Sequence, residues 1–194
     1  MSRIPARCWP LLLVFATPAY AHEEVVRSSG FLSGFLHPLT GPDHLVAMLA
    51  VGLWGAFLGR RAMVLLPLVF PLVMAAGAAL GMVGVPLPAV EVTIAASALV
   101  LGFGVAASLN PPVWLAAMLV GLFAVFHGHA HGTELPHAAH PLDYGIGFVI
   151  ATSLLHAGGI GLGLLARWPA GRLSVRAMGA AISLAGCAFL LRAA

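Results

Sequence analysis

Residues 37–61 read HPLTGPDHLVAMLAVGLWGAFLGRR. A polar head with two prolines gives way at Leu45 to an apolar run that reaches Leu58, and the run stops at Gly59-Arg60-Arg61. A surface helix carries a polar face. This run carries none, so it is built to be surrounded by protein or lipid on every side. Working outward, further apolar runs bounded by Pro, Gly and Arg place six spans near 42–59, 62–83, 88–108, 112–130, 143–166 and 173–192. The short segment 31–38 is expected to enter the membrane ahead of the first. The fold class is therefore all-α, a polytopic membrane helix bundle of about six transmembrane helices.

Composition agrees. The 194 residues are 61% hydrophobic and 8% charged, whereas a soluble domain carries about 25% charged residues. That length suits one domain with room for about six spans of roughly 20 residues. The basic residues are all Arg, so neither a P-loop lysine nor a Schiff-base lysine is available. ATP-driven pumping by this chain alone is not expected.

Residues 1–21 read as a cleaved secretory signal peptide, with Arg3 and Arg7 before a short apolar stretch, Pro18 breaking it, and Ala19-Tyr20-Ala21 at the cleavage site. The domain division is then 1–21 signal and 22–194 a single transmembrane domain, with the mature chain starting at His22. Loss of Arg3 and Arg7 removes much of the excess positive charge, and no nucleic-acid footprint remains. Cys8 leaves with the signal, so Cys187 stands alone and forms neither an internal disulfide nor a thiolate cluster. With the mature N-terminus periplasmic, Arg60, Arg61, Arg167, Arg172 and Arg176 all fall on the cytoplasmic side, as the positive-inside rule asks. A bacterial inner membrane is the expected location.

Small residues should let the helices approach closely. The pairs Gly55/Gly59, Gly77/Gly81, Gly128/Gly132 and Gly159/Gly163 are spaced i, i+4. Pro67 and Pro71 predict a bend in the second span.

A charged side chain within a span costs at least ~2.5–3.5 kcal/mol, so each polar residue there calls for a reason. The first group is His37, Asp43 and His44, with Met48 one turn below His44. Pro42 suits the first helical position after Thr40 or Gly41 as cap. Dipole complementation accounts for Asp43 alone; it does not account for two histidines held at a Pro-Gly-Pro bend, and metal binding is the better reading. The second group is FHGHAHGTE, residues 126–134. On a helix His127, His131 and Glu134 fall at i, i+4 and i+7 on one face, while His129 points elsewhere. Two imidazoles one turn apart make a bidentate clamp. His137 and His140 read as loop residues. Glu91 near the start of span three, and His156 in span five with Thr152 one turn before it, complete the set. Topology puts Asp43, His44, Glu91, His127, His131 and Glu134 in the outer half of the membrane, with His156 deeper. His22 adds an α-amine and an imidazole once the signal is removed.

Imidazole and carboxylate with one thioether suit a borderline divalent cation; Cu(I) would want more Cys and Met. The chemistry does not choose nickel over cobalt.

HPLTGPDHLVAMLAVGLWGA and FHGHAHGTE resemble the signatures of the HupE/UreJ family of nickel and cobalt permeases, and the resemblance runs over the whole mature chain. It implies secondary uptake of Ni²⁺ or Co²⁺, supplying hydrogenase or urease maturation, with His37, Asp43 and His44 as ligands from the first motif and His127, His131 and Glu134 from the second. The ion is then cargo, and no prosthetic group is implied. The expected partners are the metal ion and the lipid bilayer, with a homo-oligomer left open. Three other readings compete: a non-transporting metal sensor or accessory protein, an intramembrane metalloenzyme, and a b-type haem carrier. No HExxH motif is present, and the polar cluster faces outward, so an enzyme is not expected.

Overall fold

The computed structural model describes residues 30–135 and 140–193. The expected signal peptide, His22 and His137 lie outside them. Within them every regular element is helical: α1 (Gly30–Thr40), α2 (Pro42–Leu58), α3 (Arg60–Met82), α4 (Val90–Ala106), α5 (Val113–Thr133), α6 (Pro141–Gly163), a 3₁₀ turn (Leu164–Arg167) and α7 (Pro169–Ala193).

Proline and glycine punctuate the chain as their backbones require. Pro42 and Pro141 sit in the first turns of α2 and α6, where the missing N–H costs nothing. Gly41 precedes α2 without a side-chain cap; the Thr40 hydroxyl instead donates back to the Leu36 and His37 carbonyls at 3.2 and 3.1 Å. The axes of α1 and α2 meet at 80°. α2 ends at Gly59, whose φ of 101° belongs to the left-handed half of the map. A Cβ there would meet nothing within 4 Å, so Gly59 turns the chain and does not pack, contrary to its place in an i, i+4 pair.

Each expected span coincides with a helix, but the count of six is not reproduced. α3, α5, α6 with its 3₁₀ extension, and α7 are long and apolar enough to cross a membrane, and the bent pair α1–α2 brings the number to five if it is one span. α4 has 17 residues, about 25 Å at 1.5 Å per residue, short of a hydrocarbon layer of about 30 Å. Large apolar side chains point outward on these helices, Leu72 and Leu184 among them. That surface would be a liability in water. The chain is a multi-pass membrane protein.

α2 lies at the centre and touches every other helix, while α3 packs on α5, α4 on α7, and α6 on both α1 and α2. Glycines set these seams. A Cβ on Gly77 or Gly81 would strike the backbone of α5 at Val125 or His129, and one on Gly128 or Gly132 would strike α3 at Met74 or Ala78. Gly159 meets Leu49, and Gly52 meets His156, across the α2–α6 seam. Without a hydrophobic drive between helices in lipid, such close approach supplies the van der Waals contact that holds them. α3 runs unbroken through Pro67 and Pro71.

Candidate functional site: a buried run of histidines

The α1–α2 bend sets His37 on the last turn of α1 and Asp43-His44 on the first turn of α2, at the end of the bundle where α5 finishes. His131 on the final turn of α5 meets them there. The His37 and His131 ring centroids are 4.8 Å apart, those of His44 and His131 4.4 Å, and those of His44 and His127 5.1 Å. His37 Nε2 stands 3.5 Å from Glu134 Oε2. His37, His131 and Glu134 each offer a ligand atom, all within 4.8 Å of one another. Glu134 follows the last residue of α5, and the contact from His37 holds its carboxyl below the usual carboxylate range.

Hydrogen bonding fixes which nitrogen is free. His127 Nδ1 donates to the Phe123 carbonyl at 3.0 Å, so its Nε2 keeps the lone pair. Asp43 Oδ1 accepts from both the backbone N–H and Nδ1 of His44 at 2.9 Å, which aims His44 Nε2 away from the carboxylate. Orientation of a ligand imidazole by a partner on its other nitrogen is the usual arrangement at metal centres. Among the described residues, His44 Nε2, His127 Nε2 and both nitrogens of His131 are buried without a hydrogen-bond partner. Buried polar atoms rarely go unpaired, and each costs about 1–3 kcal/mol. A row of them marks a place prepared for something that accepts lone pairs, and a cation does.

The row continues inward. Phe70, fully buried on α3, packs edge-on against His127 at 5.4 Å and against His156 at 5.2 Å. Both His156 nitrogens also lack a hydrogen-bond partner. The Pro67 carbonyl, on the same helix as Phe70, lacks its usual α-helical donor, because the residue four on is Pro71. Met48 is buried beside Thr152, whose hydroxyl donates to the Met48 sulfur at 3.3 Å.

The structure therefore brings together His37, His44, His127, His131 and Glu134, with Asp43 behind His44, and sets His156 beyond Phe70. Glu91 is exposed in the first turn of α4 and outside this group; it lines a separate cavity with Asp43 and Arg192. His129 turns to the Val85 carbonyl at 2.6 Å, away from the row. His140 is exposed, with Nδ1 4.0 Å from Asp143. Three aromatics escaped the sequence reading: Phe70; Phe148, whose ring lies 4.2 Å from that of His131; and Tyr144, whose buried hydroxyl lacks a partner among the described residues and whose ring lies 6.0 Å from His37. The only signal for Phe70 was its place between two prolines.

The HupE / UreJ protein family model matches residues 10–189. A protein named Protein HupE, from Rhizobium leguminosarum bv. viciae, is 44% identical over 181 residues, which cover 93% of this chain and 95% of that one. No solved structure gives a significant match.

Proposed function

The chain belongs to the HupE/UreJ family, and we propose that it is a secondary permease that carries a divalent transition metal, Ni²⁺ first and Co²⁺ second, inward across the bacterial inner membrane. The observation that carries this reading is the row of unpartnered buried imidazole nitrogens running from the His37–His131–Glu134 group to His156. A sensor needs one site; a row reaching into the bundle suits passage. Histidine with carboxylate favours a borderline ion such as Ni²⁺ over hard Mg²⁺ or soft Cu⁺.

The ion arrives hydrated. Glu134 and Asp43, ionised and partly exposed, draw it in; His37, His131 and Glu134 exchange for water; His44 and His127 receive it next. Phe70 stands between His127 and His156, so passage inward requires its ring to move. With the histidines facing the periplasm, an inside-negative potential of 100 mV gives a divalent ion about 4.6 kcal/mol, enough without ATP. The cargo would serve a nickel enzyme such as hydrogenase or urease. The chain performs no catalysis in this account.

Radiolabelled ⁶³Ni²⁺ uptake tests it, in cells lacking their own nickel importers, with and without the chain, against excess Co²⁺, Zn²⁺ or Mn²⁺. Uptake that depends on the chain and on His44 supports the permease, and the strongest competitor ranks the ions. Absence of uptake with the protein present in the membrane returns the sensor reading.

A further inference from the structure

The end of the bundle opposite the histidines holds a cavity of about 650 Å³ lined by Ser108, Asn110, Arg167, Arg172 and Arg176 together with apolar side chains from α2, the 3₁₀ turn and α7. Its size falls within the roughly 300–1,000 Å³ typical of ligand sites. No acidic residue lines it. Among the described residues the carboxylates are Asp43, Glu91, Glu134 and Asp143, each at the other end of its helix or just past it. No ion pair to the three arginines is found among the described residues.

Two of these arginines are already aimed. Arg172 Nε donates to the Ala166 carbonyl at 3.2 Å, and Arg176 Nε donates to the Ala106 carbonyl at 2.9 Å. Each bond fixes its guanidinium plane and leaves the terminal nitrogens free. Arg172 and Arg176 are one helical turn apart, so their free ends share a face. Planar guanidinium forks pair with phosphate oxygens in bidentate fashion. Ser108 and Asn110 supply neutral hydrogen-bonding groups on the rim. Trp168, between the lining residues Arg167 and Pro169, is exposed, an aromatic of the kind enriched at headgroup depth. Basic pockets between helix ends take up anionic lipid headgroups in other membrane proteins. Arg60 and Arg61, at the same end, do not line the cavity; they show what charge without a pocket looks like here.

We infer that this cavity is a binding site for a phosphate group, held between Arg172 and Arg176 with Arg167 beside them. The phosphate could be that of an anionic phospholipid or of a soluble species. Both sources present the same oxygens, and the proposal does not rest on the metal-transport reading.

The test uses the full chain purified in detergent. One arm adds cardiolipin, phosphatidylglycerol or phosphatidylethanolamine and measures retained lipid by native mass spectrometry. The other adds inorganic phosphate or ATP and measures thermal stability. We expect a phosphate-bearing probe to bind, about tenfold more weakly to R172Q/R176Q, and unchanged to R60Q/R61Q. Arg167→Gln, at a side chain that makes no backbone hydrogen bond among the described residues, should also weaken it and does not depend on the two fixed forks surviving substitution. Binding confined to the lipid arm assigns a headgroup; binding confined to the soluble arm assigns a free phosphate. Failure of every probe, or equal weakening by R60Q/R61Q, overturns the proposal.

Discussion

His44 and His131 face each other across the boundary between α2 and α5, ring centroids 4.4 Å apart. His44 is oriented from behind by Asp43, whereas among the described residues His131 is positioned by packing, chiefly Phe148 at 4.2 Å, and by no hydrogen bond from its ring. A buried imidazole with both nitrogens unpaired is costly unless something occupies it. This pairing of an oriented ring with an unpaired one is what the permease account builds on.

His131→Ala removes the residue common to the His37 and His44 contacts. Ni²⁺ affinity of the purified protein should fall by at least about 100-fold, the upper end of the 10–100-fold that follows loss of a residue merely supporting a ligand, and uptake should vanish with membrane levels unchanged. His140→Ala should leave both near wild type. Isothermal titration calorimetry and immunoblotting check the pair of variants. Equal effects of the two would show that the loop and the helix are not separate.

Phe70 packs edge-on against two imidazoles, His127 and His156, each with a buried nitrogen that has no hydrogen-bond partner among the described residues. Phe70→Leu keeps an apolar filler, avoiding the roughly 3–5 kcal/mol cost of truncation to Ala, but loses both edge-on ring contacts. Uptake should drop about tenfold while equilibrium Ni²⁺ binding at the outer group changes little. A parallel fall in binding would place Phe70 in support of the outer site instead.

Gly128 presses on the Met74 backbone, and an added Cβ has no room, with Ala78 N at 2.8 Å as a further clash. Overpacking costs about 1–3 kcal/mol, so Gly128→Ala should lower membrane yield and thermal stability. Gly145→Ala, with nothing within 4 Å of its Cβ, should not. Fluorescence-detected size-exclusion chromatography compares them.

Metal binding should weaken as pH falls, because protons compete for imidazole lone pairs. Glu134 should not set that midpoint. Its carboxyl is lowered by His37; a lowered acid contributes above its unfolded value of about 4.3 and loses that contribution as pH falls through the lower folded one. Glu134→Gln should therefore reduce affinity at every pH between 5 and 8 without moving the midpoint of a binding titration. A shifted midpoint would put Glu134 in control of the acid limb.

Much of this was legible in the sequence because lipid leaves a simple pattern. Apolar runs and their Pro and Gly punctuation gave each helix to within a few residues, and 3.6-residue spacing put His127 and His131 on one face and His129 off it. The span count was less legible, since α1 and α2 read as separate segments and α4 is short for a bilayer. Gly59 shared the spacing of a packing glycine but serves a left-handed turn, a distinction that backbone angle makes and sequence does not. Phe70 was illegible because an aromatic in an apolar helix has no periodic signature; only the fold brings it between His127 and His156. Asp43 looked like a ligand equal to its neighbours, and the hydrogen bond to His44 gives it an orienting part as well.

The central claim is that the histidine row conducts a metal ion through the bundle. The most direct measurement is Ni²⁺ flux into proteoliposomes holding the purified chain and an internal metal-sensitive dye, with an imposed inside-negative potential, for wild type, His44→Ala and His127→Ala. The account predicts potential-driven flux in the wild type and none in either variant. Nickel binding to the purified wild type without flux into the vesicles would contradict it.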